Sequence, residues 1–358
     1  MILLVYVDDI VLTGDSIQLL NSLVAYLHRN FSLKDLGNLS YFLGIEASRC
    51  GNDMYLTQSK YIHDLLVRTK MSGAKPSSTP IPAGKQLSLG DGDPLEDPSL
   101  YRSVVGALQY LNLTRLDITF AVNKACQFMH QPTTMHWQGV KRILRYFKGT
   151  MTYGLRLTGS SLSALTAYSD ADWASNPDDR RSTSGYAIFF GPNLISWQAH
   201  KQKVTARSST ESEYRAIASI VAELTWLKTL LTDIGVVQKS PPTVWCDNLG
   251  AIFLSANPVL HSRMKHVEID FHFIREKVLA GELLVRHLST HYQIADIFTK
   301  GLGTLRFQLL RNKLTVIHDP FRLRGCVKSS STSDNSEAVK AVEENQGKPD
   351  SASAKNKG

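Results

Sequence analysis

The chain has 358 residues and a formal net charge of +8, a length that fits roughly two or three domains and a balance that suits a nucleic-acid partner without requiring one. Its four cysteines, Cys50, Cys126, Cys246 and Cys326, lie far apart and form neither a zinc spacing nor a disulfide framework, so reduced thiols in an intracellular compartment (cytoplasm or nucleus) are expected. No apolar run approaches the ~18 residues that cross a bilayer, and "MILLVYVDDI" lacks the basic start of a signal peptide, so no membrane partner is expected.

In chain order, residues 2–12 read as two short strands with a turn at Asp8 and Asp9, a hairpin with a buried face. A helix is predicted over 18–30, with Leu19, Leu20, Leu23, Tyr26 and Leu27 at helical spacing. "YFLGIEASRC" and "DMYLTQSKYI" read as a strand pair, followed by a helix at 61–69. The Pro-, Gly- and Ser-rich stretch 76–100 reads as a linker. Helical segments follow within 101–160, the last with Lys141, Arg142, Arg145 and Lys148 on its polar side.

From about residue 162 the texture changes. "ALTAYSDADW", "TSGYAIFFG", "LISWQAHKQ" and "KVTARSS" give three or four strand signals. A long helix is predicted over 210–234, then the strand "TVWCDN", a helix in "MKHVEIDFHFIREKVLAG", the strand "ELLVRHLS" and a last helix opening at "QIADIFTKGL". The division expected is 1–75, a linker at 76–100, helices at 101–160, a mixed α/β domain at 162–303, an extension at 304–325 and a disordered tail at 326–358.

Acidic residues fall at strand and helix ends in the α/β part: Asp170 after the first apolar run, Glu211 and Glu213 at the start of the long helix, Asp247 closing "TVWCD", and Asp296 at the last helix. Four carboxylates in one place repel unless divalent cations lie between them, and paired Mg2+ ions suit hydrolysis of a phosphodiester. Each residue alone has a structural explanation. Asp247 can cap a helix, Thr210 and Glu213 form a capping-box pattern, and Asp296 suits a helix dipole. Only their joint placement favours chemistry. His261, His266, Asp270 and His272 raise the thought of zinc, but a helix surface is the favoured reading.

"AYSDADWASNPDDRRSTSGYAIFFG", "SSTESEYRAIAS", "VWCDNLGAIF" and "VRHLSTHYQIADIFTKGL" resemble the ribonuclease H domain of copia-type LTR-retrotransposon polyproteins. "VYVDDIVLTGD", "YFLGIEASR", "STPIP" and "YRSVVGALQYLNLTRLDITFAVN" resemble the end of the reverse transcriptase palm and the connection after it. The resemblance implies an α/β fold: a ribonuclease H-like mixed sheet with helices, preceded by a truncated α+β palm and a helical connection. It implies metal-dependent cleavage of the RNA strand of RNA–DNA hybrids, with Mg2+ (or Mn2+) held as a pair by Asp170, Glu213, Asp247 and Asp296. "EYRAI" selects Glu213, with Glu211 as competitor. His291 would assist proton transfer or product release, and His287 is the weaker candidate. Arg180, Arg181, Lys201, Lys203 and Arg207 would contact phosphates or simply form a solvated basic face. No small-molecule cofactor is implied.

"YVDD" would then supply two of three polymerase carboxylates, Asp8 and Asp9, with "YFLGI" as primer grip. The third aspartate and the fingers precede this motif in the family. The expectation is a polyprotein piece that does not polymerise alone, has the missing N-terminal polymerase half as a candidate partner, and is less stable over its first ~80 residues than in the ribonuclease domain, because hairpin edges lack cover. The alternative function is an inactive transposon relic that at most binds nucleic acid.

Overall fold

The computed structural model describes residues 1–84, 86–161, 163–256 and 268–320. Strands β1 (Ile2–Tyr6) and β2 (Asp9–Thr13) pair antiparallel, Tyr6 opposite Asp9, around a two-residue turn in which Val7 takes a positive φ of 49°. This hairpin is a separate two-stranded sheet, and its expected buried face is not there: Leu3 and Val5 are 46% and 56% exposed. Helix α1 (Ile17–Asn30) starts where the Ser16 hydroxyl accepts from the Leu19 N–H, and it too buries no residue. Burial begins at Tyr55, so the uncovered part of the chain is shorter than the first ~80 residues.

Strands β3 (Tyr41–Phe42), β4 (Ile45–Cys50) and β5 (Asp53–Thr57) lead into helices α2 (Ser59–Arg68), α3 (Ser99–Leu111), α4 (Thr119–Cys126) and α5 (Thr134–Gly149), then strand β6 (Tyr153–Thr158). Next come β7 (Leu165–Asp172), β8 (Thr183–Phe190), β9 (Asn193–Lys201), α6 (Ser209–Asp233), β10 (Thr243–Cys246), α7 (Leu249–Ala256), α8 (Glu268–Leu279), β11 (Leu284–His287), α9 (Thr304–Lys313) and β12 (Val316–His318).

One five-stranded sheet has the order β11-β10-β7-β8-β9. β7, β8 and β9 form an antiparallel meander, while β10 and β11 join β7 in parallel through helical crossovers. This is the mixed sheet of a ribonuclease H-like α/β fold. Period-two alternation sends Leu165, Ala167, Tyr186 and Ile188 to one face, under α6, α7 and α8. Ala187, Phe189, Leu194 and Ala199 go to the other, against the helices that precede the sheet in the chain.

The second five-stranded sheet, β12-β6-β5-β4-β3, is antiparallel throughout. It draws strands from three of the sequence segments, and one apolar core runs from Ile62 to Val316 across the boundaries expected at 75, 100, 160 and 303. The Pro-rich stretch is not a free linker in its first part. It lies along α5, where the Arg145 carbonyl accepts from the Ser77 N–H and Arg142 donates to Thr79 Oγ1 at 2.9 Å. Under this sheet, Arg115 and Asp117 form a bidentate pair with both side chains fully buried; Thr150 accepts from Arg115, and Tyr146 donates to Asp117.

Two local expectations change. "KVTARSS" forms no strand. Asp296 does not open a long helix: it sits in a five-residue 3-10 turn, Ile294–Phe298, and α9 starts only after Gly301 and Gly303 interrupt the chain. Gly185 on β8 makes room for that turn, because a Cβ there would stand 2.5 Å from Phe298 Cβ and 2.9 Å from Thr299 Cγ2. The same Gly185 pairs with Asp170 across the ladder, so the turn is pressed onto the sheet beside that aspartate. The tail expected at 326–358 and the histidines His261 and His266 lie outside the described residues.

Candidate active site

Asp170 lies near the end of β7, and Asp247 follows the last residue of β10. Because these neighbouring strands are parallel, their carboxylates leave the sheet at the same end. The first turns of α6 and the 294–298 turn bring Glu213 and Asp296 to that end as well. Asp170, Glu213 and Asp296 are buried, and Asp247 is half-buried.

The helix start distinguishes the two glutamates. Ser208, not Thr210, is the N-cap, so the capping-box pattern expected for Glu213 is not made. Glu211 does that work instead: its N–H donates to Ser208 Oγ at 3.2 Å, its Oε2 accepts from the Arg207 N–H at 2.8 Å, and its Oε1 pairs with Arg215 at 3.0 Å. Glu213, half a turn further on, faces inward. Its Oε2 accepts from the Cys246 thiol at 3.8 Å, and ligand atoms of Glu213, Cys246 and Asp247 all lie within 4.8 Å of one another.

Electrostatics follow from burial and crowding. Burial, with Asp296 and Asp247 adding to it, pushes the Asp170 carboxyl up to about 6 even though Lys300 and the Thr299 hydroxyl pull it down. Glu213 is pushed well above its ordinary value by burial first and then by Asp170 and Asp247. Burial alone would lower Lys300, but Asp170 and Asp296 outweigh it and hold the ammonium on. Lys300 Nζ is 2.9 Å from Asp296 Oδ1, and Arg306 is 3.2 Å from Asp296 Oδ2. Asp247 Oδ2 accepts from the Thr290 hydroxyl at 2.8 Å.

This donor set suits a hard divalent cation. It offers carboxylate oxygens, crowded enough to gain from a cation among them, and the neighbouring soft donor is withdrawn: burial, then Glu213, push the Cys246 thiol up, so it stays protonated. Cys246, Lys300 and Arg306 were not singled out from sequence. For Lys300 a signal existed, the i,i+4 spacing in "DIFTK"; for Cys246 it was the position at the strand end, one residue before Asp247.

His291 is exposed in a short 3-10 turn, Thr290–Tyr292, next to the threonine that holds Asp247; its carbonyl accepts from Arg306. His287 is exposed at the end of β11. Arg180, Arg181, Lys203 and Arg207 are exposed, and Lys201 is half-buried, all in loops or strand ends at the carboxylate end of the sheet. Asp179 already pairs with Lys201 at 2.7 Å and with Arg181 at 3.5 Å. Asp8 and Asp9 are both exposed on the hairpin. Asp270, half-buried, is raised by burial and lowered by Arg215, while His272 is exposed; among the described residues neither joins a metal-ligating cluster. No described helix is long and apolar enough to cross a membrane.

Known proteins resemble most of the chain. The reverse transcriptase (RNA-dependent DNA polymerase) family matches residues 1–83. The Retrovirus-related Pol polyprotein from transposon RE1 of Arabidopsis thaliana is 50% identical over 318 residues, which cover 89% of this chain and 22% of that protein. The chain thus spans about a fifth of that relative's length. The putative transposon Ty5-1 protein YCL074W of Saccharomyces cerevisiae is 31% identical over 223 residues, 62% of this chain and 72% of that one. Among solved structures, LC11-RNase H1 isolated from compost aligns at 18% identity over 38% of this chain and 93% of its own, with a TM-score of 0.31. With half its residues shared with a transposon polyprotein over most of its length, and with a smaller transposon protein largely covered, this chain belongs to the copia-type retrotransposon Pol polyproteins.

Proposed function

We propose that the chain is a metal-dependent ribonuclease acting on the RNA strand of RNA–DNA hybrids. The observation that carries this reading is the convergence of Asp170, Glu213, Asp247 and Asp296 at one end of the mixed sheet, three of them buried. These four would hold Mg2+ or Mn2+, two ions per site. When bound, such ions supply Lewis acidity at the scissile phosphodiester and to the attacking water.

The chain's own groups have separable tasks. Thr290 fixes the rotamer of Asp247, and Thr299 that of Asp170. Lys300 and Arg306 hold Asp296 against the repulsion of its neighbours. Arg180, Lys203 and Arg207 present cations to the hybrid's phosphates, and binding through them weakens with salt. Selectivity for the hybrid requires contact with RNA 2′-hydroxyls across a wide minor groove. His291, beside the Asp247 loop, is placed to carry a proton or help release product. Asp8 and Asp9, exposed on a hairpin that buries nothing, are assigned no polymerase activity on their own.

The test is a gel assay with a labelled RNA–DNA hybrid in Mg2+ or Mn2+, with Asp170→Asn in parallel. Cleavage of the RNA strand by the parent, with the variant inactive but still binding hybrid, is the expected outcome. A folded parent that binds hybrid and never cuts it would overturn the reading in favour of a nucleic-acid-binding relic.

A further inference from the structure

A cavity of about 470 Å³ lies between α3, α4, α5 and the stretch around residues 80–87. None of the four site carboxylates lines it. Its walls are mainly apolar, with the aromatic side chains of Tyr101, Phe120 and Phe128. The charged groups in its walls are all of one sign: Lys124, Lys141, Arg142 and Arg145 are present, and no aspartate or glutamate is.

Two of those cations are left short of acceptors. Lys124 is 7% exposed and its Nζ has no hydrogen-bond partner; Asp172, Asp179 and Asp178 attract it from beyond ion-pair distance but do not offset the cost of its burial. Its ammonium instead stands 5.6 Å from the centre of the Phe120 ring. Arg142 donates once, to Thr79, but its buried Nε has no partner. Buried polar groups are almost always paired, and a buried unpaired charge is strongly unfavourable. His136 does not serve as a further cation, because its ring is committed to the Thr133 N–H and the Ser88 carbonyl, and burial lowers its basicity.

Same-sign charge, missing acceptors and aromatic walls in one half-open recess define a complementary ligand. We propose that this cavity binds a small aromatic anion, with Lys124 as its counter-charge, Arg142 Nε as a second donor and the rings of Phe120 and Phe128 against its apolar body. The volume lies within the range of ordinary small-molecule sites. A carboxylate, sulfonate or phosphate would serve equally as the anionic group; a nucleic-acid duplex is too large to enter. This site is independent of the ribonuclease reading.

The experiment is calorimetric titration of the full chain with 1-naphthalenesulfonate, beside the neutral 1-naphthalenesulfonamide. The expected result is one saturable site that prefers the sulfonate. Lys124→Met should weaken the sulfonate roughly tenfold or more, as loss of a charge-assisted bond does, and leave the sulfonamide nearly unchanged. That variant removes a charge whose burial outweighs the attraction of Asp172, Asp179 and Asp178, and should fold; Arg142→Gln, which keeps Lys124, should weaken the sulfonate several-fold and provides the second check. Absence of saturable binding to the parent, or equal sulfonate affinity in parent and both variants, would overturn the proposal.

Discussion

Lys300 reaches back one turn to Asp296, Nζ to Oδ1 2.9 Å, and the same ammonium stands 3.4 Å from Oδ1 of Asp170. The site thus contains a tethered monovalent cation where divalent ions are proposed to bind. Lys300→Met should therefore act in two opposite directions. In chelator the variant should lose about 1–3 kcal/mol of stability, since two carboxylates lose a charged donor. Mg2+ should then raise its melting temperature more than it raises the parent's, because a competitor is gone. Thermal melts with and without Mg2+ measure both. An equal loss in the two conditions would leave Lys300 a structural ion-pair partner only.

The two glutamates at the start of α6 should separate cleanly. Glu213→Gln should abolish both metal binding and hybrid cleavage. Glu211→Gln should keep metal binding while costing about 1–2 kcal/mol, because it loses charged acceptance from the Arg207 N–H and from Arg215. Mn2+ titration and urea melts on both variants decide this. Metal binding lost with Glu211 and kept without Glu213 would exchange the roles.

The Arg115–Asp117 pair lies in the core, outside the carboxylate site. Asp117→Ala strands a fully buried guanidinium and should cost about 3–5 kcal/mol. Replacing both residues with leucine should cost much less than the sum of the single changes. Denaturant melts of the three variants give the comparison.

Lys124 predicts a pH signature. Burial first, and Lys201 after it, pull its ammonium from 10.5 down to about 8, against the opposing pull of Asp172, Asp179 and Asp178. Below about 8 the folded state carries the buried charge and its penalty in full. Between about 8 and 10.5 the unfolded chain binds more protons than the folded one, so this residue's contribution to stability rises with pH across that window. The stability difference between parent and Lys124→Met should move in the parent's favour from pH 8 to 10.5, read from urea midpoints. A flat difference would refute the assignment.

What was legible in the sequence follows from range. The meander β7–β9 could be read because a continuous apolar run such as Tyr186, Ala187, Ile188 and Phe189 is a local signal of a strand buried on both faces. Asp170 and Asp247 could be placed together because strand ends in an α/β order are local too. The antiparallel closure of β6 by β12 left no local mark, since register between distant segments depends on the packed core. The 294–298 turn was read as a helix because its residues favour one; the space beside Gly185 decides otherwise. The hairpin was given a buried face because its residues are apolar, yet nothing described covers them. Lys300 carries a local signal toward Asp296 at i,i+4, whereas its approach to Asp170 exists only in the fold.

The pairing of Val316 with Leu155 has a consequence for the order of events in synthesis. A ribosome makes β6 long before it makes β12, and Phe307, Leu310, Leu314 and Val316 are all needed to fill the core that α5 and β6 begin. Until these residues emerge, the growing chain holds an open strand edge and an unfilled apolar cleft. Closure of this core thus waits on β12, and such late, long-range closure is slow and open to wrong partners. A stop codon shortly before residue 304 would not yield a smaller stable body; it would leave the core without the wall that α9 and β12 supply.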